Sequence, residues 1–204
     1  DKGENWTTCE LDKIYTADYY YVKFFDSDNG VIVCGYAKSN DTNESSRIYS
    51  TSNGGESWDI VGSGPATNII KGVVYVSSDV GFFCYDYVEG MDSNLYKTDD
   101  GGKTFAKVML EEQELDSSAA NPQGQETETK TDSGKNGADS SEQLRWGDVY
   151  KEALTPVVDS TGIITIYLTQ GKNAVYNDGK TAAKYQSSDK GSTWKYIGQV
   201  EIKD

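Results

Sequence analysis

The sequence predicts an all-β fold made of repeated antiparallel units, and three observations predict it. First, an eight-residue pattern recurs: Thr51, Asn53, Gly55, Ser57 and Trp58 in one copy, Thr98, Asp100, Gly102, Thr104 and Phe105 in the next, Ser187, Asp189, Gly191, Thr193 and Trp194 in the last. Second, the 204 residues are rich in Tyr (15) and Gly (21) and poor in Pro (3), the mixture of β-favouring residues and turn-formers that short strands need. Third, the Asx positions of the first two copies stand 47 residues apart, close to the roughly 40–50 residues of a four-stranded unit.

Each copy reads as a tight turn between two antiparallel strands. An Asx side chain accepts hydrogen bonds from backbone N–H groups a few residues on and so fixes the turn locally. Gly supplies the positive φ that such turns use. The closing aromatic ties the turn to a core. An incomplete copy opens the chain at Asp1, Gly3, Asn5 and Trp6, 52 residues before Asn53 when counted from Asp1.

Taken in order, Thr7 to Leu11 is expected as the strand leaving that first turn. Tyr19 to Phe25 is a strongly β-favouring run, and Asp26 to Gly30 is a turn signal. Val31 to Tyr36 and Arg47 to Ser50 follow as strands, with a polar loop between them. In the second unit, Asp59 to Val61, Ile69 to Val76, Gly81 to Tyr87 and Asn94 to Lys97 are strands, and Glu89 to Ser93 is a loop. After the third turn, Glu111 to Leu144 contains no Phe, Trp or Tyr and holds nine acids against two lysines. Such a stretch buries too little apolar area to offset ordering entropy, so 111–144 is expected to be a disordered acidic insertion. Structure resumes at Arg145 to Tyr150. Leu154 to Val158, Gly162 to Leu168, Ala182 to Gln186 and Trp194 to Ile202 form the last unit.

The pattern Ser/Thr-x-Asp-x-Gly-x-Thr-Trp resembles the Asp-box, or BNR repeat, of the sialidase-like β-propellers. The Gly-Gly forms of the first two full copies are most similar to those of xyloglucan-degrading glycosidases and photosystem II assembly-factor-type propellers. Asn53 and Phe105 depart mildly from the pattern, keeping an acceptor and an aromatic. The resemblance implies a single propeller region over 1–204, with blades at about 7–58, 59–105 and 106–194 plus an outer strand to 202. Three blades are too few to close a ring, so a partial or incompletely closed propeller is expected, with remaining blades in a longer chain. It also implies that the turns are structural and that any site lies on the opposite face.

Composition narrows the function. A net charge of −14 repels nucleic-acid phosphate and disfavours an anionic membrane, and no apolar run is long enough for membrane insertion by a helix. The absence of His removes His ligands, a His general base and a Ser-His-Asp triad. No cofactor or metal is expected: setting Gly30 as an EF-hand glycine puts Phe25 and Tyr36 at the ends of the loop, and Gly62-Ser63-Gly64 fails the dinucleotide pattern. Cys9, Cys34 and Cys84 form no CxxC. Cys34 and Cys84 read as small buried residues at matching places in two repeats, with a disulfide between them left open.

The sialidase-type carboxylate grip needs three arginines, and the chain has two, Arg47 and Arg145. A nucleophile pair such as Tyr87 and Glu89 is expected by chance among so many tyrosines and acids. Asp18, Asp86, Glu89 and Asp148 fall near the usable face. Trp146 and Tyr150 read either as a sugar-stacking platform or as core. The candidate binding residues are therefore Tyr87, Glu89, Arg145, Trp146 and Asp148, and no catalytic residue is assigned. The expected function is a non-catalytic extracellular or cell-surface module, bacterial and secreted, that displays loops for a glycan or protein. The alternative is a fragment of a secreted sialidase-like glycoside hydrolase.

Overall fold

The computed structural model describes residues 4–5, 7–11, 17–36, 45–115, 145–171 and 176–202. Three sheets follow one another along the chain. The first holds β1 (Tyr19–Phe24), β2 (Gly30–Gly35), β3 (Ser46–Thr51) and β4 (Asp59–Ser63) in sequential antiparallel order. The second holds β5 (Ile70–Tyr75), β6 (Gly81–Tyr85), β7 (Leu95–Thr98) and β8 (Ala106–Lys107). A one-turn helix, α1 (Trp146–Val149), then leads to β9 (Glu152–Ala153), β10 (Val157–Val158), β11 (Ile164–Thr169), β12 (Thr181–Ser187) and β13 (Lys195–Glu201). The third sheet runs β10-β11-β12-β13, with β9 also paired to β11.

Each recurrent motif forms the turn between the third and fourth strands of its sheet. In the second sheet, Thr98 Oγ1 donates to Asp100 Oδ1 at 2.8 Å and accepts from Gly102 N–H at 2.8 Å. Asp100 accepts from Thr104 N–H at 2.8 Å and Thr104 Oγ1 at 2.6 Å. Ser187, Asp189, Gly191 and Thr193 repeat these contacts in the third sheet. In the first sheet Asn53 Oδ1 takes the place of a carboxylate oxygen and accepts from Ser57 N–H at 3.0 Å, while its Nδ2 donates to Ser57 Oγ. Hydrogen bonds, chiefly those from Thr104 and Thr193, hold the Asp100 and Asp189 carboxyls well below the usual carboxylate range. Gly191 has φ 77°, and a Cβ there would meet Phe82 of the neighbouring sheet at 2.5 Å, so the position demands glycine twice over.

The sheets stack face to face in chain order. Val31, Val33 and Ile48 of the first meet Val73, Tyr75, Phe83 and Tyr85 of the second. On the second sheet's other face, Phe82, Cys84 and Leu95 meet Ile164 and Ile166 of the third. Strand alternation produces this, since neighbours along β6 point to opposite faces and both faces are covered. The first strands of adjacent sheets approach each other, with Val73 N–H donating to Tyr19 Oη and Tyr75 N–H to Tyr21 Oη, both at 3.1 Å. Four-stranded meanders stacked in sequence with their first strands together are the blades of a β-propeller. The chain is all-β, with three blades in an open array.

Several expectations are corrected. Each sheet ends one strand later than its turn, because β4, β8 and β13 pair back onto β3, β7 and β12. The sheets thus span 19–63, 70–107 and 152–201, and boundaries at 58 and 105 cut through pairings. Residues 7–11 form no strand. Cys34 and Cys84 are both buried and free, but they are one register step apart. Counted from the paired Gly30–Thr51 and Gly81–Thr98, Cys34 matches Tyr85 and Cys84 matches Val33. They therefore face opposite sides of their sheets, which removes the disulfide. Asp1, Gly3 and Trp6 of the opening copy, and 116–144 of the acidic stretch, lie outside the described residues.

Candidate functional site

Sheet 2 has the shortest fourth strand of the three, and this opens a cleft. β8 pairs over two residues only. After Val108 N–H has bonded to Leu95 O, the chain crosses toward the third sheet, where Tyr185 Oη donates to Glu111 O at 2.7 Å. The gap between the β6–β7 loop, this crossing segment and α1 is a cleft of about 320 Å³. Tyr87, Met91 and Asp92, Val108 to Leu110, and Arg145 to Asp148 with Lys151 line it.

Buried Asn94 holds the two sides together. Its Nδ2 donates to Tyr85 O at 2.8 Å and Ala153 O at 2.9 Å, and its Oδ1 accepts from Ala153 N–H at 2.8 Å. The amide thus completes the backbone bonding of β9 from a different sheet, and Cys84 Sγ adds a contact to Ala153 O. A side chain with two donors and an acceptor in one plane is needed for this, and Asn supplies it. Gly90, at φ 91°, turns the β6–β7 loop, and Met91 Sδ lies 3.4 Å from Val88 N and from Asn68 Nδ2.

Three ion pairs stand around the cleft. Lys151 Nζ donates to Glu89 Oε1 at 2.8 Å. Arg145 grips Asp148 with two bonds, 2.9 and 3.2 Å. Lys107 pairs with Asp92 at 2.8 Å. The Arg145 guanidinium lowers the Asp148 pKa, and Lys107 lowers that of Asp92. Bonding to Glu89 raises that of Lys151. Exposed pairs of this kind add little to stability, so their weight is in the shape and polarity of the rim.

Of the sequence-predicted residues, Tyr87, Arg145, Trp146 and Asp148 line this one cleft, and Glu89 stands beside it through Lys151. Trp146 is only 3% exposed and Tyr150 likewise, packed with Val149, Tyr176 and Tyr185. The Trp146 ring lies 4.7 Å from Tyr150 and edge-on to Tyr196. Tyr150 Oη shares a hydrogen bond with Thr181 Oγ1. Of the two readings of this pair, core packing describes their place, and neither ring presents a free face. Asp86 lies outside the cleft and pairs with Lys71. Arg47 is buried in β3 of the first sheet, far along the chain from Arg145 at the start of α1. Among the described residues no group of three Cys, Asp or Glu side chains is placed to hold a metal ion, and no helix is long and apolar enough to cross a membrane.

Sequence reasoning missed Lys151, Asn94, Asp92 and the two methionines, Met91 and Met109. Lys151 and Asn94 act through partners 62 and 59 residues away, which no local pattern marks.

No family model and no curated protein matches the chain. Among solved structures it is similar to a GH74 enzyme from Niastella koreensis, at 16% identity and TM-score 0.43, over 82% of this chain and 19% of that one. It is also similar to YCF48 bound to a D1 peptide, at 14% identity and TM-score 0.40, over 91% of this chain and 45% of that one. The chain therefore spans less than half the length of either.

Proposed function

We propose that this chain is a non-catalytic interaction module of Asp-box propeller blades, at or outside the cell surface, whose cleft between the second and third sheets takes a segment of a partner protein. In this reading the three hydroxyl–Asx–Gly turns are Asp-boxes and serve as clasps. The observation that carries the proposal is the state of the cleft's charges. Both aspartates in it with displaced pKa values, Asp92 and Asp148, are displaced downward. A glycosidase acid needs the opposite, a carboxyl held protonated by burial. The walls offer two methionines, an adaptable apolar surface, between charged rims. Of the aromatics on its lining, Trp146 and Tyr150 are turned into the core, which leaves Tyr87 as a single ring where a sugar platform would want a broader face. Those features favour a peptide segment over a glycan.

The test pairs a peptide array and a glycan array with a panel of fluorogenic glycosides, using the wild-type chain and Lys151→Ala. Peptide capture that weakens severalfold in Lys151→Ala supports the proposal. Glycan capture in place of peptides sinks the choice of ligand, and glycoside turnover sinks the non-catalytic reading.

A further inference from the structure

Charge in the cleft is unevenly balanced. Its lining holds three carboxylates, Asp92, Glu112 and Asp148, against two cations, Arg145 and Lys151. Asp92 is paired with Lys107 and Asp148 with Arg145, while Lys151 is paired with Glu89 from beside the cleft. Each of these cations is neutralised by a carboxylate at 2.8 or 2.9 Å. Glu112 belongs to none of the three pairs, so it is the lining charge they leave over. Glu111 and Glu114 beside it carry the same sign, as does the whole chain at −14. The field met by an entering group is therefore negative, and it favours a cation.

The Glu112 carboxylate also has a seat. A Cβ at Gly147 would lie 2.4 Å from Glu112 Oε1, so the oxygen occupies room that only glycine leaves open. Gly147 lies in the helical backbone of α1, where alanine is the better former. Its consequence here is space for the carboxylate.

The rest of the lining suits a long cationic side chain. Met91 and Met109 supply polarizable thioether surface, and Met109 is 62% exposed. Val108 and Leu110 extend that apolar surface, against which a methylene stem packs. Tyr87 adds a ring of the kind that attracts a guanidinium. An acidic side chain would bring like charge to Glu112, and a neutral one would leave that carboxylate uncompensated.

Within the reading of the cleft as a peptide site, on which this rests, we propose that the partner segment is anchored by an arginine. Its guanidinium forks onto Glu112, and its stem lies along the methionines. An apolar residue beside it covers the remaining apolar lining. Glu112 is then the residue that sets the partner's charge, and Gly147 positions its carboxylate.

The experiment uses the natural polypeptide at full length and calorimetric titration with acetylated, amidated pentapeptides of leucine and alanine. The central residue is arginine, its neutral isostere citrulline, or glutamate. The arginine peptide is expected to bind about threefold to tenfold tighter than the citrulline peptide, a gap that narrows as salt is raised. Glu112→Gln closes the gap and leaves citrulline binding unchanged. Gly147→Ala pushes the carboxylate from its seat and shrinks the gap severalfold. Lys151→Ala alters the lining but not the anchor, so it weakens both peptides alike. Equal binding of arginine and citrulline peptides that Lys151→Ala still weakens overturns the arginine anchor and leaves the peptide site standing. Tighter binding of the glutamate peptide does the same. A gap that survives Glu112→Gln puts the cation elsewhere and also overturns it. Binding of none of the peptides, or binding that neither Lys151→Ala nor Glu112→Gln alters, overturns the peptide site as well.

Discussion

Replacing Asn94 with Ala removes the strap under the cleft, and the structure sets the size of the loss. Asn94 is 1% exposed, and its amide makes three bonds to backbone, two of them to Ala153 of the next sheet. Alanine leaves Ala153 N–H, and at least one of the two carbonyls, without a partner in a site closed to water. Each such orphan costs about 1–3 kcal/mol, and Cys84 Sγ at Ala153 O offsets part of one. The sum is about 3–5 kcal/mol, which for a chain of this size lowers Tm by about 8–15 °C. Thermal and urea unfolding followed by far-UV circular dichroism measure it. Asn94→Asp keeps the acceptor for Ala153 N–H but points oxygen at two carbonyls, so it is no rescue. A loss under about 1 kcal/mol in Asn94→Ala would refute the claim that this amide joins the sheets.

Other outcomes follow from the same geometry. Gly191→Ala places a methyl against Phe82 at positive φ and is expected to cost about 2–4 kcal/mol, whereas Gly198→Ala, with no atom nearby, costs about 1–2; equal losses in urea titrations would contradict this. Burial pushes the Cys34 thiol up to about 11 and Cys84 up to about 12, so at pH 8 a thiol reagent should label exposed Cys9 at once and the other two only on unfolding. Asp100 and Asp189 have folded pKa values below their unfolded ones, so their contribution is complete above the unfolded carboxylate range and is lost as pH falls through the folded values. Tm is therefore expected to hold between about pH 7 and 5 and drop below about 4, with a shallower drop in the Asp100→Asn, Asp189→Asn double variant; an unchanged acid limb would count against the clasps.

The parts of the fold legible in the sequence are those made by neighbours in the chain. The three clasps close between residues two to four positions apart, so Thr98, Asp100, Gly102 and Thr104 announce their own geometry. Strands flanking them followed from alternation and turn residues. Register did not: Cys34 and Cys84 sit in similar strands, yet one residue of offset sends them to opposite faces. Thr7 to Leu11 has strand-like composition, but a fourth strand needs a third to pair with, and none of the described strands pairs there. At the cleft, Tyr87, Arg145 and Asp148 were reachable because loop and linker positions share one face. Trp146 turned inward because Tyr150, four residues on, and Tyr185 and Tyr196 from a distant segment build an aromatic pocket for it. Lys151 and Asn94 matter only through long-range partners.

The most direct test of the binding account is an NMR titration of the isotope-labelled chain with the peptides it captures best. The account predicts shift changes at Tyr87, Met91, Asp148 and Lys151, with the clasp residues Asn53, Asp100 and Asp189 unmoved. Shifts centred on the clasps, or cleavage of a glycoside by the same sample, would contradict it.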